Sequence, residues 1–166
     1  MNKMKLPITP EAVAILNSRI GQALWQTQGF EDSLAHYLTM VLKLPPKVAI
    51  EEAEQILDNV RKGTLGKLIN EFKLSIKIDS NLGKRLEEFL KERNWLVHKS
   101  RRLHHSDIYH EEKFLILLKR LDVLSDEALA LNKLFGRMIE DWVLAKGIPK
   151  ERIDHYANEM LKKWTS

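Results

Sequence analysis

The chain has 166 residues, of which 44% are hydrophobic and 30% are charged, a balance typical of one globular domain with its own core. It contains no run of about 18 apolar residues, and its N-terminal segment MNKMKLPITPEAV has no apolar signal-peptide core, so we expect neither a membrane span nor secretion. The absence of cysteine excludes disulfides and thiolate zinc sites, and a formal charge of +4 permits contact with nucleic acid without requiring it. We therefore expect a cytoplasmic protein.

The first half of the chain predicts helices, because apolar residues recur at spacings of three and four. Thr9 is expected to cap a long first helix, which Gly29 could divide in two and which the proline pair at 45–46 ends. A second helix is predicted over about residues 47–61. A shorter third helix is expected to begin after a cap at Thr64.

The second half continues the helical pattern after one ambiguous segment. The stretch LSIKI at 74–78 alternates like a strand but has no partner strand elsewhere, so it is interpreted as a loop. Helices are then predicted over about 79–98, capped by Asp79 and Ser80, over about 107–146, where a bend near Ser125 and Asp126 is possible, and over 150–164. The sequence predicts an all-α fold, a single domain over 1–166 built as a bundle of long antiparallel helices.

One arginine interrupts the apolar pattern of the helix expected over 79–98. Arg93 falls inside the apolar stripe, which otherwise consists of Leu82, Leu86, Phe89, Leu90, Leu96 and Val97. A buried arginine is costly unless a carboxylate pairs with it or its head group reaches a polar cleft. The residues alone leave both alternatives open. His98 and the basic residues after it would also suit an ordinary helix C-terminus, where cations interact favourably with the helix dipole.

The segment ERNWLVHKS around Arg93 resembles the motif of the HEPN superfamily of helical-bundle proteins. That motif has an arginine, a polar residue that is often asparagine, a few apolar residues and then a histidine. Arg93, Asn94 and His98 stand at these positions. The segment TLGKLINEF at 64–72 is also similar to the short helix that precedes the motif helix in many members. The resemblance implies an HEPN-like fold.

The resemblance implies a metal-independent endoribonuclease of the toxin or antiviral-defence type, a homodimer in which two motif helices line one cleft. Arg93 would bind phosphate, Asn94 would orient the cleft and His98 would be the acid or base for attack of an RNA 2′-OH. No cofactor is expected, and a cognate antitoxin or regulatory protein is a further expected partner. The side chains expected to contact RNA are Lys99, Arg101, Arg102, His104 and His105.

Three other interpretations stay open. The chain could be a non-catalytic HEPN-like module that dimerises and binds a protein or nucleotide, or a plain structural bundle. A metal site is the third, and its candidate ligands are His98, His104, His105, His110, Asp107, Glu111 and Glu112. This set lacks the helical ligand pair that catalytic zinc sites use, so no metal is expected.

The sequence also allows predictions for two neighbouring residues, Ser100 and Trp95. Some HEPN proteins have a tyrosine two residues after the motif histidine, where a partner nucleotidyltransferase modifies them, but this chain has Ser100. That mode of control is therefore not expected. Trp95 lies away from the apolar stripe, so it should pack against another helix or a second subunit.

Overall fold

A computed structural model describes residues 9–45, 47–76 and 79–165, and every regular element in these ranges is helical. The elements in chain order are α1 (Pro10–Tyr37), a π-helical segment (Leu38–Lys43), α2 (Ile50–Arg61), α3 (Leu65–Ser75), α4 (Ser80–His98), α5 (Ser100–His104), a 3₁₀ turn (Asp107–Tyr109), α6 (Glu111–Ala145) and α7 (Lys150–Thr165). The predicted all-α class is confirmed. No helix in these ranges has the length and apolar character needed to cross a membrane.

Side-chain caps fix three of the helix starts where the sequence predicts them. The Thr9 side chain accepts a hydrogen bond from the Ala12 amide at 3.2 Å, and Pro10 follows as the first helical residue. Thr64 and Asp79 cap α3 and α4 in the same way. These oxygens satisfy amide groups that the first helical turn leaves without an intrahelical partner.

Gly29 does not divide the first helix, which is continuous from Pro10 to Tyr37. A Cβ atom at Gly29 would lie 3.4 Å from the side-chain nitrogen of Asn132. That distance is an ordinary van der Waals contact, so the packing of α6 does not require a glycine here, and the glycine does not serve as a helix break. The Ser33 hydroxyl donates to the Asn132 side-chain oxygen at the same crossing.

Three predicted boundaries differ from the structure. Leu74 and Ser75 of the expected loop belong to α3, while residues 77–78 lie outside the described ranges. The long sixth helix begins at Glu111, after the 3₁₀ turn, and is continuous through Ser125. Ser125 is buried on its inner face, so this polar residue reflects packing and not a helix end.

The longest helices, α1 and α6, form the centre of the fold and run in the same direction. Arg19 of α1 pairs with Asp122 of α6 at 3.2 Å, and further along both helices Ser33 of α1 contacts Asn132 of α6. Residue numbers therefore increase in the same direction along both helices. The prediction of an antiparallel bundle is therefore wrong for this pair. Antiparallel packing is expected of helices joined by a short loop, whereas α1 and α6 are separated by the four intervening helices.

An aromatic cluster joins these two helices to α3 and α4. The Phe135 ring centroid lies 5.0 Å from Phe72, 5.5 Å from Phe30 and 5.6 Å from Tyr37, and Phe30 meets Phe89 edge to face. All five rings are buried. Aromatic pairs at these separations add to the free energy gained from apolar burial. The cluster fixes α4, and with it the motif segment, against α1 and α6.

Candidate functional site

Helix α4 places the motif at its C-terminal end, and its apolar stripe is buried in part as predicted. Leu86, Phe89 and Leu96 face the core, but Val97 is 46% exposed. Val97 therefore does not belong to the buried stripe. It lies on the surface beside His98, the last residue of α4.

Arg93 is paired with a carboxylate of the first helix. Its Nε donates to Glu31 Oε1 at 2.8 Å, and a terminal nitrogen donates a longer hydrogen bond to the Asn94 side-chain oxygen at 3.4 Å. The Arg93 and Glu31 side chains keep 24% and 27% of their surface exposed. Arg93 thus has the carboxylate partner that its place in an apolar stripe requires, and about a quarter of its side chain is still exposed.

His98 is exposed at the end of α4 and has no side-chain hydrogen bond or ion pair within the described residues. It stands five positions after Arg93 on one continuous helix, which places the two about 140° apart around the helix axis. Arg93 points to α1 while His98 points to solvent. One chain therefore does not bring this arginine and histidine together in a shared cleft.

The predicted RNA-contacting residues follow His98 through α5 and the turn after it. Lys99, Arg101 and Arg102 are exposed and have no side-chain partner in the described part of the chain. His105 is exposed, with Nδ1 3.2 Å from the Arg102 carbonyl oxygen. Together these side chains form a positively charged surface next to the motif, suited to electrostatic attraction of a polyanion.

His104 is held differently from its neighbours. Its Nδ1 lies 2.6 Å from Asp107 Oδ2, and both side chains are largely buried. Since the carboxylate accepts, the proton of this hydrogen bond is on Nδ1, which leaves Nε2 as the free polar atom of the ring. The Trp95 ring packs against the His104 ring at 5.4 Å, edge to face. The imidazole is thus fixed in orientation.

Trp95 packs within its own chain. It is 5% exposed, and the Arg120 guanidinium of α6 lies 3.6 Å above its ring. Arg120 in turn binds Glu92 of α4 through two hydrogen bonds of 2.7 and 2.9 Å. The alternative that Trp95 faces a second subunit is therefore wrong. The indole N–H is buried and donates to no described residue.

A cavity of about 360 Å³ opens beside His104, between α1, α5 and α6. Aliphatic side chains of α1, α6 and the 3₁₀ turn before α6 form its inner wall. Polar side chains stand at its rim, and they include three predicted RNA-contacting residues, Arg101, His104 and His105.

The remaining histidine-rich segment does not gather ligands for a metal. Within residues 9–45, 47–76 and 79–165, no three His, Asp or Glu side chains converge on one point. The nearest approach to such a site is the His104–Asp107 pair, which supplies two groups. The metal-site alternative therefore has no geometric support in this segment.

Glu31 and Asp107 are the site residues that sequence analysis did not identify as partners. Glu31 lies 62 positions before Arg93, and nothing in the local pattern links the two. One signal existed: Glu31 directly follows the buried Phe30 on α1, at the border of its apolar face.

Comparison with protein-family models, with curated proteins and with solved structures finds no match to this chain.

Proposed function

We propose that this protein is an HEPN-like, metal-independent endoribonuclease that cleaves RNA at a composite site between two subunits. Arg93 binds the scissile phosphate, Asn94 helps to orient Arg93, and His98 transfers the proton. The observation that carries the proposal is the state of Arg93: it is anchored by Glu31 and Asn94, yet about a quarter of its side chain is exposed to solvent.

An anchored arginine of this kind suits phosphate chemistry. Guanidinium has five N–H donors, and the two hydrogen bonds to Glu31 and Asn94 leave the others for a ligand. A guanidinium that is already oriented loses little conformational freedom when phosphate binds, so more of its interaction can stabilise the charge that develops in the transition state.

The geometry of α4 supports a role for a second subunit in the proposed site. Because Arg93 and His98 lie about 140° apart around one helix, the histidine that acts on a phosphate held by Arg93 comes from the other chain. In a symmetric dimer the same arrangement occurs twice, so each phosphate has one His98, which accepts the proton of the 2′-OH as base and donates a proton to the leaving 5′-oxygen as acid. The exposed cations Lys99, Arg101 and Arg102 then hold the flanking RNA phosphates.

Cleavage of RNA in the presence of EDTA tests this function. We expect products with 2′,3′-cyclic phosphate ends, and we expect His98→Ala to lower the rate by about 100-fold or more, since a positioned proton-transfer group contributes at least that much. His155→Ala is the matched control, because His155 is an exposed histidine of α7 without a side-chain partner in the described residues. A requirement for Mg²⁺, or equal loss in both variants, would overturn the proposal.

A second candidate is a non-catalytic HEPN-like module that dimerises and binds a protein or nucleotide. The Arg93–Glu31 pair favours it, since an arginine held by a carboxylate can serve the fold alone. This candidate predicts that purified protein binds RNA or a partner without cleaving RNA. The cleavage assay separates the two candidates directly.

A further inference from the structure

We propose that the cavity between α1, α5 and α6 binds a single nucleoside monophosphate unit, with the base against its aliphatic wall and the phosphate on Arg101. The unit is either a free mononucleotide or one unpaired nucleotide of an RNA strand. This inference goes beyond cleavage by His98, because it assigns a base-binding cavity outside the motif, and it shares with the proposed function only the contact of Arg101 with a phosphate.

The size and the inner wall of the cavity suit one planar base. Its volume of about 360 Å³ lies near the lower end of small-molecule pockets, which span about 300–1,000 Å³. A dinucleotide or a larger cofactor would fill far more space. The wall consists of Leu16, Ile20, Ile108, Leu117 and Leu121. Such a surface offers apolar contact to both the face and the edge of a heterocycle.

The charge at the rim suits a phosphate. Arg101 lines the cavity and is exposed, with no carboxylate partner among the described residues. The described lining contains no Asp or Glu side chain at all. By contrast, Arg85, Arg93 and Arg120 each bind a glutamate. Arg101 therefore retains its donors for an anionic ligand.

Two further polar groups can read the nucleoside. The ring of His104, fixed by Asp107 and Trp95, has Nε2 available for a hydrogen bond with the ribose or the base. Asn17 stands at the α1 side of the rim, and its amide offers both a donor and an acceptor to a base edge. Ser100 is less suited as a donor, because its hydroxyl already donates to the Leu96 carbonyl at 2.6 Å.

Calorimetric titration of the whole protein tests this site, with 5′-AMP, adenosine, inorganic phosphate and a short single-stranded oligoribonucleotide as the four probes. We expect AMP to bind more tightly than adenosine or phosphate alone, since both halves of the cavity contribute. Arg101→Ala should weaken AMP binding by about tenfold or more. Leu16→Trp, which fills the cavity from its half-buried wall, should abolish AMP binding.

Lys113→Ala is the matched control. It removes one exposed positive charge in the first turn of α6, four positions before the cavity residue Leu117, without altering the lining. We expect AMP binding to be unchanged in this variant. Equal weakening by Arg101→Ala and Lys113→Ala would mean general electrostatic attraction and would overturn the proposal. Displacement of AMP by phosphate at equal concentration would overturn it as well.

The probes also separate the two sources of the nucleotide. If AMP binds as tightly as the oligoribonucleotide, the ligand is a free mononucleotide. If AMP does not bind, but the oligoribonucleotide binds and its binding depends on Arg101 and Leu16, the ligand is a nucleotide within a strand. Binding of neither probe overturns the site. Since no arm of the titration requires cleavage, failure of the ribonuclease proposal and failure of this site are distinguishable.

Discussion

Arg93 and Glu31 connect the end of the motif helix α4 to the first helix α1, with 2.8 Å between the arginine Nε and the carboxylate. The same helix α4 carries a second arginine–glutamate pair, in which Arg85 binds Glu127 of α6 through hydrogen bonds of 2.5 and 3.1 Å. Both pairs are partly exposed and join α4 to a neighbouring long helix. Only the first belongs to the motif, so the second serves as its structural control.

We expect Arg93→Ala and Arg85→Ala to lower the free energy of unfolding by similar amounts, about 1–2 kcal/mol each. Because water reaches both ion pairs, removing one arginine should lower the free energy of unfolding by less than breaking a fully buried pair would. Arg93→Ala alone should also remove about 2–4 kcal/mol of transition-state stabilisation for RNA cleavage. Urea denaturation and cleavage rates measured on the same preparations give both quantities.

The double-variant cycle with Glu31→Gln separates anchoring from catalysis. We expect the cycle to give a coupling energy of about 1 kcal/mol with Arg93 in stability. Cleavage should fall in Glu31→Gln but remain above that of Arg93→Ala, since the arginine is still present. If Arg85→Ala impairs cleavage as strongly as Arg93→Ala, the arginine of the motif has no role beyond the fold.

A composite site requires dimerisation through the surface around the end of α4. Val97 is exposed there next to His98, and we expect Val97→Asp to convert the proposed dimer to a monomer and to abolish cleavage, because the substitution would place a charge in the proposed contact. Light scattering should give about twice 19.4 kDa for the unaltered protein.

Ile50→Asp is the control for this experiment. Ile50 is a large apolar residue of α2 that is 74% exposed, and its substitution should leave both mass and cleavage unchanged. An unaltered protein that scatters as 19.4 kDa at micromolar concentration would contradict the composite site.

Features of the fold that depend on neighbouring residues could be predicted from the sequence. The caps at Thr9, Thr64 and Asp79 act on amides two or three residues away, so the sequence alone identifies them. Helix α4 ends at His98 as expected. The shared direction of α1 and α6 could not be predicted, because it depends on the path that the chain takes through α2 to α5 between them.

The candidate site was predictable only in part, for the same reason. The anomaly of Arg93 within an apolar stripe correctly indicated a need for a partner, but the identity of Glu31 depends on packing between helices. Trp95 lies outside the stripe and is nevertheless buried, since Arg120 of α6 and His104 of α5 pack against it on that side of α4. Periodicity along one helix does not show which neighbours will cover it.

Phe135 lies at the centre of the aromatic cluster, within 5.6 Å of Phe30, Tyr37 and Phe72. We expect Phe135→Ala to lower the free energy of unfolding by about 3–5 kcal/mol, since it leaves a cavity among rings that are themselves buried. Phe114→Ala, at a half-buried position near the start of α6, should cost clearly less. Urea denaturation measures both, and equal losses would contradict the central role of the cluster.

Tyr37 gives the fold a dependence on alkaline pH. Burial of its ring raises the pKa of the phenol above 10.0, because a charged phenolate would lose hydration. The unfolded chain releases this proton from about pH 10, whereas the folded chain retains it to higher pH. Above about pH 10 the folded state therefore binds more protons, and the free energy of unfolding falls as the pH rises towards the folded pKa.

Tyr37→Phe should remove this contribution, since phenylalanine keeps the packing against Phe72 and Phe135 and has no group to ionise. Urea denaturation at about pH 8 and about pH 10.5 measures the slope in both proteins, and we expect a shallower loss of stability in Tyr37→Phe. Tyr156→Phe is the control, because Tyr156 is exposed on α7 and its substitution should leave the slope unchanged. Lysines deprotonate in the same range in every variant, so only the difference between slopes reports on Tyr37. Equal slopes in the unaltered protein and Tyr37→Phe would show that the phenol does not resist ionisation in the folded state.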